Sequence, residues 1–399
     1  VLIIVENASI PYDRRVTEEA RALLANGYSV SIICPAAPVQ VLGYQQAPRE
    51  CLEGIEVRRY RELRARGGAL SQVVEYLNAL VKSLWLMVTM MRRPGFDVIQ
   101  VCNPPDLLCV IAWPFTLFGK RFIFDQHDLS PELYSTLYSR DSGLILRVLR
   151  LFERASYALA DAVIVCNQSY RHLALSRGGV PPERVFVVRN GPRDGWPKPL
   201  PVDHSLKRGR PFLVLYVGVM NRQDGVDVLL HAARALVHEM QFRDATFALV
   251  GNGGELESLK AQATALDIEE YVDFTGWITD EDRLSTYLRS ADACVCPEPS
   301  SPLNDQSTFI KVMEYMAAGI PMVAFDLPET RVSAGGAAVY SPPGDVRGFA
   351  ERIKAVLTNQ TLASEMSAAA AERLPSLLWE GQIPNLLAAY AHAMSDNPR

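Results

Sequence analysis

Short runs of β-branched and aromatic residues recur along this chain with helical stretches between most of them, and the alternation happens twice. The first series is VLIIVE (1–6), YSVSIIC (28–34), IEVRRY (55–60), DVIQV (97–101), RFIFD (121–125), DAVIVC (161–166) and RVFVV (184–188). The second is FLVLYVG (212–218), ATFALVG (245–251), YVDFTG (271–276), ADACVC (291–296), IPMVAF (320–325) and AAVYS (337–341). Runs this apolar, spaced by helices, predict parallel strands covered on both faces, with functional loops at the strands' carboxyl ends. Residues 191–210 hold four prolines and three glycines without an apolar period and read as a linker. A chain of 399 residues also exceeds one ordinary core. The expected architecture is α/β, with doubly wound domains over 1–190 and 211–375 facing a central cleft of the kind that binds nucleotides.

Hydrophobic content of 49% and charged content of 21% exclude a disordered chain. The net charge of −5 is uneven: residues 1–200 hold 24 Lys+Arg against 19 Asp+Glu (+5), and 201–399 hold 16 against 26 (−10). Either the imbalance is incidental or the first half faces an anionic surface, such as phospholipid or a lipid-phosphate acceptor. Nothing points to a nucleic-acid partner. The seven cysteines are scattered, odd in number and mostly within apolar runs, which predicts buried thiols in a reducing compartment and no metal site. With no visible signal peptide ahead of the opening strand, a cytoplasmic location is expected.

The segment Asn304–Asp326, NDQSTFIKVMEYMAAGIPMVAFD, condenses the pattern into 23 residues. Ser307 and Thr308 are placed to cap a helix, Phe309, Val312, Met313, Met316 and Ala317 repeat at helical spacing, and Gly319 ends it before a short buried strand. A helix N-terminus at the carboxyl edge of a parallel sheet attracts anions, and a glutamate one or two turns in accepts hydrogen bonds from sugar hydroxyls. Lys311 and Glu314 are the charged residues in that helix.

This segment resembles the donor-binding signature of the family 4 retaining glycosyltransferases, enzymes of the GT-B fold with two Rossmann-like domains. In that family two glutamates separated by seven residues precede an AMAAGxPVVA-like run. The second falls on Glu314, and the first falls on Gln306, whose amide can still bond a hydroxyl. The likeness covers nearly the whole chain: PYDRRVTEEARALLANGYSV, VVRNG (187–191), LYVGVMNRQDGVDVLLHAA, LVGNGGELESL and VDFTGWI are similar to successive family segments. LLWEGQIPNLLAAYAHAM resembles the terminal helix that crosses back to the first domain, here 376–399.

The resemblance implies a nucleoside-diphosphate-sugar donor, a UDP-sugar favoured, with no cofactor and no metal required. It places Glu314, Gln306, Ser307, Thr308, Gly253, Ile278 and Gly218 on the donor side. Asp13, Arg14, Asn103 and Asp128 fall on the acceptor side. His127, Arg222 and Lys311 are the catalytic candidates. The family's two diphosphate-clamping cations fall on Val219 and Asp224, so Arg222 between them is the replacement. Plainer readings stand beside these: Glu314 an ordinary helix charge, Lys311 paired with an acid, Arg222 a solvated loop arginine, Gly253 a turn glycine, Asn103 part of a rigid helix opening.

Residues 69–92 predict a helix apolar on most sides, but its longest uncharged run, Ser83–Met91, is nine residues. A membrane span needs ~20. Residues 107–119 are also too short, and with Arg92, Arg93, Lys120, Arg121, Arg147, Arg150 and Arg154 the two stretches form either a peripheral membrane surface or buried helices. The overall expectation is a retaining hexosyltransferase acting on a lipid-linked saccharide or other saccharide acceptor in cell-surface polysaccharide assembly. The alternatives are a nucleotide-sugar epimerase of the same fold and a catalytically impaired nucleotide-sugar-binding partner.

Overall fold

A computed structural model of the chain describes residues 1–39, 44–61, 69–92, 95–138 and 142–395, with the side chains of 69–73 excepted. Arg93 lies outside the described residues. The chain divides into two compact units, Val1–Arg189 with Gln382–Arg399, and Asn190–Gly381.

The first unit runs β1 (Leu2–Ile4), α1 (Arg14–Ala25), β2 (Ser31–Pro35), β3 (Arg49–Leu52), β4 (Ile55–Tyr60), α2 (Ala69–Met90), β5 (Val98–Cys102), α3 (Cys109–Thr116) and β6 (Arg121–Gln126). It continues with α4 (Ser130–Tyr138), α5 (Leu144–Leu159), β7 (Ala162–Val165), α6 (Gln168–Ser176) and β8 (Val185–Val187). Its sheet has the order β3-β4-β2-β1-β5-β6-β7-β8, every pairing parallel except β3 with β4. The strand direction of travel reverses between β1 and β5, so the loops after those strands open a crevice at their carboxyl ends. Strand β3 has no apolar run to announce it. It is a half-exposed edge held to β4 and its neighbours by ion pairs, Arg49 with Glu56 at 3.1 Å and Arg59 with Glu50 at 2.8 Å.

The second unit contains β9 (Phe212–Val217), α7 (Val226–Arg234), β10 (Ala245–Val250), α8 (Leu256–Ala265), β11 (Val272–Gly276), α9 (Glu281–Ser290) and β12 (Ala293–Cys296). It then has α10 (Ile310–Ala317), β13 (Met322–Phe325), α11 (Pro328–Ala334), β14 (Ala338–Ser341), α12 (Val346–Thr358) and α13 (Gln360–Arg373). Its six strands are all parallel in the order β11-β10-β9-β12-β13-β14, with the reversal between β9 and β12. Both sheet faces are covered: Leu229, Leu236 and Phe349 fill one side, and Val312, Met316 and Leu288 the other.

The segment 191–210 packs as part of the second unit. Trp196 and Leu206 lie against its core, Asp203 N donates to Ser290 Oγ at 2.8 Å, and Lys207 pairs with Asp292 at 2.8 Å. Residues 374–381 stay with this unit too, Trp379 N donating to Pro192 O at 3.0 Å. The terminal helix α14 (Ile383–Ala393) then packs in the first unit with Leu386, Ala389, Tyr390 and Ala393 buried. The ring of Tyr390 meets Tyr28 edge-on with centroids 5.6 Å apart. Six cysteines are buried and Cys51 is exposed.

Candidate active site

In the second unit the site is built on β9, β12 and the start of α10. Lys311, one residue inside α10, buries its side chain and places Nζ 2.5 Å from Glu298 Oε1, in the loop after β12. The ammonium lies 4.1 Å from the Tyr216 ring centroid. A Cβ on Gly218 would fall 2.8 Å from Nζ, so a glycine at the end of β9 makes room for the cation. Burial alone would depress the Lys311 pKa. The Glu298 carboxylate outweighs that and holds it above its ordinary value, so the ammonium stays charged.

Asp224 closes the one-turn helix Arg222–Asp224, accepting from Asn221 N at 3.0 Å. Burial pushes its carboxyl up to about 6, against the pull of Lys311. Arg222 is exposed and forms no ion pair among the described residues. Buried Asn304 fastens the loop after β12 to this turn, donating to Gln223 O at 2.9 Å and Pro299 O at 2.8 Å.

Glu314 stands one turn beyond Lys311 and is 6% exposed. Neither Ser307 nor Thr308 caps α10, contrary to expectation: the N-cap is Phe309, without a side-chain hydrogen bond. Ser307 Oγ instead donates to Leu303 O of the preceding turn at 2.8 Å, and Thr308 Oγ1 to Glu329 Oε2 of α11 at 3.4 Å. Gln306 Nε2 donates to Pro302 O at 3.0 Å. Gly319 does end the helix, at φ +70°, with Ile320 N bonded to Tyr315 O at 3.1 Å.

Gly253 is a close-approach glycine and not an open phosphate cradle. A Cβ there would fall 2.2 Å from Met220 O, and the amides of Gly253 and Gly254 donate to Asn252 Oδ1 at 2.7 Å and Asn221 Oδ1 at 2.9 Å. Ile278, past the end of β11, is half-buried against the core that holds Tyr287 and Leu288.

In the first unit, the loops after β5 and β6 meet at Asn103, which is fully buried. Its Oδ1 accepts from His127 N at 2.7 Å and Asp128 N at 3.1 Å, and its Nδ2 donates to Asp106 Oδ1 and Asp128 O, both at 2.7 Å. With these bonds made, Asn103 shapes the turn that presents His127 and Asp128. His127 Nε2 lies 2.8 Å from Asp125 Oδ2. Burial would lower the imidazole pKa, but Asp125 outweighs it and the net shift is upward, favouring imidazolium. Burial raises the Asp128 carboxyl against the pull of His127.

Asp125 is the centre of a buried polar network. Arg15 bonds it at 2.9 Å and Glu19 at 3.0 Å, and Gln100 Nε2 donates to Glu19 at 2.6 Å and Asp125 at 2.9 Å. Tyr390 of α14 donates to Gln100 Oε1. Burial works to raise the Asp125 carboxyl, yet Arg15 and His127 hold it well below the usual range; burial and Asp125 together push Glu19 up to about 8. Cys102, Asp125 and His127 offer three potential metal-ligand atoms within 4.8 Å. Arg15, Gln100 and His127 already occupy the Asp125 oxygens, and burial keeps the Cys102 thiol protonated, so the cluster reads as a hydrogen-bond network. Asp13 caps α1, accepting from Val16 N at 3.0 Å, and Arg14 beside it is half-buried.

Residues 12–191 match the model of the glycosyl transferase 4-like domain, and residues 211–359 that of glycosyl transferases group 1. The chain is a family 4-type glycosyltransferase. A D-inositol 3-phosphate glycosyltransferase of Catenulispora acidiphila is 27% identical over 95% of this chain and 90% of its own length. Among solved structures, sucrose-phosphate synthase of Thermosynechococcus elongatus superposes with TM-score 0.75 at 18% identity, covering 98% of both chains. HepE of Anabaena, in complex with UDP-glucose, gives 0.73 at 16%, again over 98% of both. These likenesses establish the GT-B fold.

Several residues of this glycosyltransferase's candidate site escape a reading by motif: Glu298, Tyr216 and Asn304 in one unit, Arg15, Gln100 and Asp125 in the other. Two carried a signal. Gln100 and Asp125 are polar residues inside otherwise apolar strand runs, which demands buried partners.

Proposed function

We propose that the chain moves a hexose from a UDP-sugar to a hydroxyl of a lipid-linked saccharide, with retention of anomeric configuration, at the inner face of the cell membrane. Support comes from the buried, charged ammonium of Lys311 at the carboxyl ends of β9 and β12, where a doubly wound sheet receives phosphates. In this reading Lys311 and Arg222 offset charge on the departing diphosphate, helped by the first amides of α10. Glu314 accepts hydrogen bonds from the donor's hydroxyls, and Gln306, Ser307 and Thr308 line the approach. His127, biased toward imidazolium, is the first unit's catalytic candidate, while Asp13, Arg14 and Asp128 serve the acceptor side. No carboxylate is assigned as nucleophile. Attack comes on the face the leaving group vacates, with positioning and charge stabilisation supplying most of the rate and no metal called upon.

Asp224 favours a second reading, a nucleotide-sugar-binding partner with impaired catalysis, because it sets a carboxylate beside Lys311 where the family resemblance calls for a cation. Thermal unfolding with UDP-, GDP- and ADP-sugars tests both, since a bound donor raises apparent stability. Stabilisation by UDP-sugars with turnover to a retained-configuration product, read by NMR, is expected. Stabilisation without turnover over hours selects the impaired partner, and no stabilisation by any sugar nucleotide overturns both.

A further inference from the structure

Three neighbouring helices of the first unit carry large apolar side chains on their outer faces as well as against the core. Helix α2 packs beside α3, and α3 beside α5. Val81, Trp85 and Val88 recur at helical spacing on the outer side of α2, with Trp85 63% exposed. Trp113, Leu117 and Phe118 continue the apolar surface at α3 and just past its end, Phe118 72% exposed. On α5 the polarity is reversed: Glu153 is buried and paired with Arg177, while Leu144 and Leu151 face outward, Leu144 at 77%. A surface this apolar and continuous marks a docking face.

Cations stand among these side chains. Lys82 on α2 and Arg147, Arg150 and Arg154 on α5 are exposed and form no ion pair among the described residues. The acids on the three helices are turned away or engaged: Glu153 is buried in its ion pair, and Glu75 is only partly exposed and has a partner. At one side the apolar stripe runs into a groove of about 440 Å³ whose walls include Val81, Trp85 and Leu86, where Lys82 is joined by one further positive charge, Arg61.

We propose that the α2–α3–α5 face docks on an anionic phospholipid bilayer, the apolar side chains entering the headgroup boundary and the cations meeting lipid phosphates. Charge decides between this occupant and a second copy of the chain. A two-fold pairing through this face would bring like cations together, whereas an anionic bilayer neutralises them. The depth is that of a peripheral contact, since no helix among the described residues is long and apolar enough to cross a membrane. The proposal deepens the lipid-linked acceptor reading and rests on it for its purpose, but lipid binding needs neither donor nor turnover, so either can fail alone.

The test is co-sedimentation of the whole chain with phosphatidylcholine vesicles, neutral or carrying about 30 mol % phosphatidylglycerol, at low and high salt. Binding to the anionic vesicles alone, falling as salt rises, is expected. Arg147→Glu with Arg150→Glu should weaken it about tenfold or more, and Trp113→Ser with Phe118→Ser by at least about tenfold, circular dichroism remaining unchanged because all four positions are exposed. Binding indifferent to lipid charge, binding untouched by both pairs of substitutions, or a lipid-free dimer that these substitutions dissolve would overturn the proposal.

Discussion

The carboxyl of Asp224, pushed up to about 6 beside Lys311, makes donor affinity a function of pH. With Lys311 and Glu298 charged as a pair, an ionised Asp224 leaves the pocket one negative charge in excess before Arg222 is counted, and a diphosphate adds more of the same sign. Binding then favours the protonated acid. Keeping Asp224 neutral at pH 7.5 costs about 2 kcal/mol, one and a half units at about 1.36 kcal/mol each. Affinity for UDP-glucose, whose diphosphate does not titrate in this range, should therefore weaken about thirtyfold between pH 5 and 7.5, with about one proton taken up per donor at the upper end. Calorimetry in buffers of different ionisation enthalpy reads both quantities. Asp224→Asn, which can still accept from Asn221 N, should flatten the profile and tighten binding at pH 7.5 by a similar factor. The same raised pKa destabilises the fold: the folded acid holds its proton through the window from about 4 to 6 where the unfolded one releases it, so stability falls as pH rises through that window. Asp224→Asn should accordingly raise the Tm at pH 7.5 and leave it unchanged at pH 4. A pH-independent affinity, or an asparagine variant that binds more weakly, would show that Asp224 does not oppose the donor's diphosphate.

Other outcomes follow from the same geometry. Glu314→Ala should weaken UDP-sugar binding about tenfold or more by removing a buried hydroxyl acceptor, and equal affinity by calorimetry counts against its donor role. Asp125→Asn strips Arg15 and His127 of their shared anion, so denaturant unfolding should show a loss of about 3–5 kcal/mol; in whatever folded fraction persists, an NMR titration should find the His127 pKa lowered, because burial is then less opposed. Gly251→Ala would place a methyl 1.8 Å from Gly218 O at a φ of +145°, and should cost about 2 kcal/mol or more in chemical denaturation.

Much of this architecture was legible because a doubly wound sheet hides its strands on both faces. The apolar runs that became β1, β2, β6, β7, β9, β10 and β13 could hardly be anything else at that length and spacing. Strand β3 was not legible, since an edge held by Arg49–Glu56 and Arg59–Glu50 carries no apolar period. In the site, Lys311 and Glu314 announced themselves as charges in an apolar helix. Glu298 did not, although alternation through Cys294 and Cys296 continues to it on the same side of the chain. Arg15 was hidden by its neighbour: adjacent helix positions point about 100° apart, and only tertiary packing turns Arg15 inward to Asp125 and leaves Arg14 half-buried. The expected capping by Ser307 and Thr308 failed because the turn from Ser301 to Ser307 closes on itself and hands the N-cap to Phe309.

The charge at Lys311 is decisive, and calorimetric titration of UDP-glucose into the Lys311→Met, Glu298→Gln double variant at pH 5, where Asp224 is largely protonated, measures it most directly, the paired substitution sparing Glu298 from standing as an unmatched buried carboxylate. The expected result is a folded protein whose affinity for the donor has dropped about a hundredfold, the loss of a charge-assisted phosphate contact worth about 3 kcal/mol. A double variant that binds UDP-glucose as tightly as the unaltered chain would contradict it.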